Sequence, residues 1–121
     1  MTILGLDHVQ VAIPPGSDEV ARAFYAGVLG LEEIPKPEPL RATGALWLRV
    51  GGSELHLGIQ RDFHPARKAH PGIRVADADE IAARCSAAGH PVEWDDRYPG
   101  VRRFYVHDPF GNRIEIMQVE G

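Results

Sequence analysis

The sequence predicts an α+β fold: two tandem βαβββ modules forming a curved mixed sheet with helices on its convex face. Three observations predict it. Strand-like and helix-like segments follow the order β-α-β-β-β twice over. Landmark residues recur at a near-constant offset: Gly30 and Gly89, Gly52 and Gly111, and His56 and Glu115 are each 59 positions apart, and His8 and His70 are 62 apart. Several strand segments alternate polar and apolar residues, so each has one face to bury and one left over. The 121 residues suit a single domain, with module 1 at about 1–60, a linker at 61–68 and module 2 at about 69–121. One module cannot cover its own sheet face, so the two must pack.

In order along the chain, Asp7 to Ile13 alternates throughout and reads as a half-buried strand. Pro14-Pro15-Gly16-Ser17 turns the chain. A helix follows, capped by Ser17 or Asp18, with Val20, Ala23, Phe24 and Val28 on its apolar face and Gly27 and Gly30 at its end. Leu31 to Ile34 is a short strand, and Pro35 to Pro39 is a stiff loop that excludes helix. Leu46 to Val50 and Glu54 to Gln60 form a hairpin across Gly51-Gly52. In the second module, Ala69 to Val75 reads as a strand. Asp77 caps a helix with Glu80 three positions on; Ala78, Ile81, Cys85 and Ala88 are its apolar face and Gly89 its stop. Pro91 to Trp94, Val101 to His107 and Arg113 to Val119 complete the sheet, the last two joined by Asp108-Pro109-Phe110-Gly111-Asn112.

Composition narrows the function. Hydrophobic residues are 44% and charged residues 25%, which excludes disorder, collagen and coiled coil. The net charge of −4 argues against a nucleic-acid partner. No apolar run is long enough for a membrane span and no signal-peptide pattern is present, so the expected location is cytoplasmic. The single cysteine, Cys85, belongs to the helix core and excludes an intrachain disulfide. Against it stand six histidines, and histidine is the commonest metal ligand.

Alternation sorts them. If Val9, Val11 and Ile13, then Leu55, Leu57 and Ile59, then Ile73 and Val75, then Ile114 and Ile116 face the helices, His8, His56, His70 and Glu115 lie on the opposite face. Gln10, Trp47, Arg49, Arg74, Arg103, Tyr105, His107 and Met117 share it. Of the other histidines, His64 and His90 fall in loops and His107 at a rim. Imidazoles with a carboxylate suit iron, nickel, cobalt, zinc or manganese rather than calcium, and such a set with open positions serves oxygen chemistry or Lewis-acid chemistry. The candidate metal ligands are therefore His8, His56, His70 and Glu115. Gln10, Trp47, Arg49, Arg74, Arg103, Tyr105 and Met117 are candidate substrate-binding residues.

Asp7-His8-Val9, Phe24-Tyr25 with Leu29-Gly30-Leu31, Glu54-Leu55-His56-Leu57, His70 through Gly89, and above all Asp108-Pro109-Phe110-Gly111-Asn112-Arg113-Ile114-Glu115 resemble the vicinal oxygen chelate superfamily. That group includes glyoxalase I, bleomycin-resistance proteins, fosfomycin-resistance enzymes, methylmalonyl-CoA epimerase and extradiol dioxygenases. The resemblance implies one divalent transition metal per site and a small-molecule substrate bound through two oxygens. The activity would be of isomerase, lyase or dioxygenase type. It also implies a homodimer in which His8 and His56 of one chain join His70 and Glu115 of the other. His56 stands where glyoxalase I-like members carry a ligand glutamate. Glu115 is then the only carboxylate placed at the site, and Glu115 and His56 are the catalytic candidates. The alternative from the same resemblance is a metal-free protein of the bleomycin-resistance kind that sequesters a small molecule.

Overall fold

The computed structural model describes residues 2–119. It divides into two compact units, 1–63 and 64–121. Each unit holds its own four-stranded sheet.

In the first unit β1 (His8–Ile13), β2 (Glu32–Ile34), β3 (Trp47–Val50) and β4 (Ser53–Ile59) lie in the order β1-β4-β3-β2. β1 runs parallel to β4, and the remaining pairs are antiparallel. In the second unit β5 (Gly72–Arg74), β6 (Val92–Asp95), β7 (Val101–His107) and β8 (Arg113–Val119) repeat that plan as β5-β8-β7-β6. The repeat extends to register. Gln10 and Trp47 flank His56 in the first sheet, and Gly72 and Tyr105 flank Glu115 in the second.

The first helix departs from simple 3.6-residue spacing. α1 (Asp18–Arg22) continues into a π-helix, Ala23–Val28, marked by the Leu29 N–H donating five residues back to the Phe24 carbonyl at 2.9 Å. The buried positions nonetheless keep ordinary helical spacing. Ala21, Phe24 and Tyr25 are buried, whereas Val20, predicted inward, is 51% exposed and Ala23 is also exposed. Phe24 and Tyr25 meet edge to face at 5.0 Å. Ser17 takes the N-cap position but makes no cap bond; its hydroxyl donates to the Pro14 carbonyl instead.

Two further expectations are corrected. Glu38–Thr43 forms a 3₁₀-helix, although Pro35 to Pro39 was expected to exclude helix. Pro39 sits in its first turn, where the missing N–H would have had no partner. β5 is also shorter than Ala69 to Val75, because Pro71 has no N–H to give the ladder. The Pro71 carbonyl still accepts from the Glu115 N–H at 3.0 Å, so His70 enters beside the strand pair rather than within it.

α2 (Ala78–Ala87) packs against β6, β7 and β8. Its buried side chains are Ala78, Ala82 and Cys85; Ile81 is half-buried and Ala88 is exposed. The Asp77 carboxylate accepts from the Glu80 N–H at 3.2 Å, the expected cap. Asp77→Ala is expected to cost about 1 kcal/mol in urea unfolding, while Asp77→Asn retains most of that stability.

Alternation correctly assigns the cores: Ile13, Leu48, Leu55 and Leu57 are buried in the first unit, and Ile73, Phe104, Val106, Ile114 and Ile116 in the second. Val9 and Ile59, predicted inward, are exposed at the two ends of the β1–β4 pair. Among the described residues no helix is long and apolar enough to cross a membrane.

Candidate functional site

Each sheet leaves one face to polar and aromatic side chains, and the register sets these in rows. In the first unit His8, Glu54, Arg49 and Glu32 lie opposite one another across four strands. The next row on the same face is Gln10, His56, Trp47 and Ile34.

His56 is 4% exposed, and its ring is sandwiched. On one side the His8 ring lies with its centroid 4.0 Å away and 14° from parallel. On the other, Trp47 lies 3.8 Å away and 3° from parallel. The edge is held too, since His56 Nε2–H donates to Glu54 Oε1 at 2.8 Å. His8 Nδ1–H donates to Asp7 Oδ1 at 2.9 Å, which leaves Nε2 as its ligand-capable nitrogen. Glu54 is a further candidate that the sequence-based set lacks, a carboxylate on the polar face besides Glu115. The signal was present: Glu54 is two residues from His56 and so shares its face.

Beside this stack, an open hollow of about 570 Å³ is lined by Ile34, Pro37, Arg41, Trp47, Arg49 and Glu54. Arg49 Nε lies 3.5 Å from Glu32 Oε1. Gln10 passes over Gly58, where an added Cβ would come within 2.6 Å of the Gln10 amide nitrogen.

In the second unit the rows are Gly72, Glu115, Tyr105 and Glu93, then Arg74, Met117, Arg103 and Asp95. Glu115 is 7% exposed and fully engaged. His70 Nε2 lies 2.9 Å from its Oε1, and Arg103 Nη1–H donates to its Oε2 at 3.0 Å. Arg103 also donates to Asp95 Oδ1 at 3.1 Å, and Arg97 Nε–H donates to Asp95 Oδ2 at 2.7 Å. Arg103 is thus a half-buried clamp on two carboxylates, with its buried Nε left without a partner. Tyr105 stands edge-on to His70 at 5.5 Å, and Arg113 covers its face at 3.8 Å.

Burial pushes the Glu115 carboxyl up, but bonds from His70 and Arg103 outweigh it and hold it below the usual carboxylate range. Bonds from Arg97, then Arg103, hold Asp95 well below its own. A depressed carboxyl stabilises the fold above its unfolded pKa, and that stability is lost as pH falls through the folded one. Urea stability is therefore expected to fall below about pH 4.5. Glu115→Gln is expected to flatten that acid limb, and an unchanged slope would count against the clamp.

Among the described residues no group of three or more His, Cys, Asp or Glu side chains is placed to hold a metal ion. The four predicted ligands fall into two pairs, His8 with His56 and His70 with Glu115. His107 is exposed and pairs in register with Arg113.

A family model described as Glyoxalase/Bleomycin resistance protein/Dioxygenase superfamily matches residues 5–116. No curated protein gives a significant match. A solved glyoxalase-family protein from Bacillus anthracis is 48% identical, with a TM-score of 0.95 over 99% of this chain and 98% of that one. A lactoylglutathione lyase from Agrobacterium tumefaciens is 24% identical at TM-score 0.72, covering 98% and 96% of the two chains. An antibiotic-binding protein from Streptomyces sp. CB03234 is 24% identical at TM-score 0.74, covering 99% of each. These last two share the fold, and the family model spans nearly the whole sequence: the chain belongs to the glyoxalase, bleomycin resistance protein and dioxygenase superfamily.

Proposed function

We propose that this protein is a metal-dependent enzyme acting on a small substrate that offers two neighbouring oxygens, with His8, His70 and Glu115 as metal ligands. The observation that carries the reading is the His70–Glu115 contact. His70 Nδ1–H donates to the Lys68 carbonyl at 2.9 Å, which leaves Nε2 to face Glu115 Oε1 at 2.9 Å. Two acceptors 2.9 Å apart need a cation or a second ring proton between them. A divalent transition metal fits that donor set, imidazole with carboxylate.

When bound, such a metal supplies a Lewis acid for oxyanion stabilisation. The chain's own residues do the rest. Asp7 and the Lys68 carbonyl fix the tautomers of His8 and His70. Arg103 holds one oxygen of Glu115, keeping the carboxylate ionised and leaving the other oxygen to face His70. A carboxylate held low in pKa is a weak base, so Glu115 serves as ligand. Glu54 is the carboxylate in the first unit placed to accept a proton. Trp47 and Arg49 line the hollow together with Glu32, Glu33 and Glu54, and the flat face of Trp47 suits a flat substrate. Each unit carries only part of the donor set, and membership of the superfamily implies that His8 of one protomer joins His70 and Glu115 of its partner. Isomerase or lyase chemistry and ring-cleaving dioxygenation are the reactions this set can support.

The test is the metal content of protein purified without chelators or a histidine tag. His8→Ala and His70→Ala are each expected to lower it more than tenfold. Copurifying iron favours the dioxygenase; nickel, cobalt or zinc favours the isomerase or lyase. Metal content unmoved by both substitutions would overturn the ligand assignment, whereas wild-type protein that takes up no metal would support a metal-free binder of small molecules.

A further inference from the structure

His56 shares the polar face with His8, yet its geometry sets it apart from a ligand. A metal bound to an imidazole nitrogen lies in the plane of the ring, about 2.0–2.1 Å from the nitrogen. The His8 and His56 planes are 14° from parallel, with centroids 4.0 Å apart. Stacked ring atoms sit roughly 3.5–4.0 Å apart, so the two planes are separate layers. An ion in the His8 plane lies far above the His56 plane and off its lone pair. Rotating His56 into line would break the contact with Trp47 at 3.8 Å and the bond to Glu54 at 2.8 Å. It would also move a side chain that is 4% exposed and packed on both faces.

We infer that His56 is a positioning residue: the layer between Trp47 and His8 that fixes the His8 ring, with Glu54 fixing His56 in turn. The inference rests on the metal reading above and deepens it. His8, fixed by Asp7 at Nδ1 and by His56 across its face, is preorganised although its side chain is 43% exposed. The donor set would then be two imidazoles and one carboxylate. The shape and flatness of residue 56 matter, and its nitrogens do not touch the metal.

The test is a competition titration with cobalt(II), with X-ray absorption on the loaded protein. His56→Ala removes the layer and is expected to weaken cobalt binding about 10–100-fold, the usual effect of losing a group that orients a ligand. His56→Phe keeps a flat ring between Trp47 and His8. It is expected to recover most of that loss, and X-ray absorption is expected to show two imidazoles in both wild type and His56→Phe. Thermal melts confirm that each variant folds. Loss of cobalt in His56→Phe as complete as in His8→Ala, or a third imidazole in wild type that His56→Phe removes, overturns the inference and leaves the metal reading standing. Failure of wild type to bind cobalt overturns both.

Discussion

Glu115→Ala is expected to lower metal affinity more than 100-fold and to destabilise the second unit by about 3 kcal/mol in the metal-free state. The first effect follows from removing the single carboxylate of the proposed donor set. The second has a separate cause. Arg103 has a side chain only 14% exposed and is held by two carboxylates, at 3.0 Å and 3.1 Å. Removing one partner of a buried ion pair costs about 3–5 kcal/mol, because the charge left behind stays desolvated. The low end applies here because Asp95 keeps Arg103 paired. Glu115→Gln separates the two effects. It retains an acceptor for Arg103 and should keep most of the stability, yet it lacks the ligand charge. Urea unfolding with chelator present and a metal titration read the two quantities independently. Equal loss of stability in both variants would contradict the clamp.

Phe104→Ala is expected to cost about 3–5 kcal/mol, the largest stability effect of any single substitution considered. Phe104 is fully buried on β7, on the face away from Glu115, and α2 packs against that strand. Its ring meets Trp94 at 5.1 Å, and its register partners are Trp94 and Ile116. Alanine there leaves a cavity that flanking strands cannot close without breaking the β6–β7–β8 ladder. Against a total of about 5–15 kcal/mol for a domain, such a loss shifts the urea midpoint strongly. Val119→Ala, at an exposed position on the neighbouring strand, is the control and should change stability by less than about 0.5 kcal/mol. A Phe104 effect no larger than the control would mean that the second core is not where alternation puts it.

The repeat was legible because register preserves sequence offset. Residues 62 apart at the module starts and 59 apart at the fourth strands come back as the same strand partners, Gln10 with His56 and Gly72 with Glu115. Strand alternation also found the polar face, since it is set locally by the two-residue period. The rest depends on signals that periodicity does not carry. The buried face of the first helix is centred on Ala21, Phe24 and Tyr25, one position on from Val20, and the small Ala21 gives no signal that would favour it over Val20. The short β5 reflects one missing N–H at Pro71. In the site, alternation could say that His8, His56 and Trp47 share a face, but not that they stack. Stacking depends on the diagonal reach of His8, whose direct strand partner is Glu54, over to His56. Arg103 illustrates the same limit: its position on the face was evident, whereas its commitment to Glu115 and Asp95 arises from three strands together.

Whether His8, His70 and Glu115 hold a metal is read from the metal-to-protein ratio of the wild-type chain purified without chelators or tag. The account predicts about one divalent transition metal per chain, lost when Glu115 becomes alanine. A wild-type ratio near zero that added iron, nickel, cobalt, zinc or manganese does not raise would contradict it.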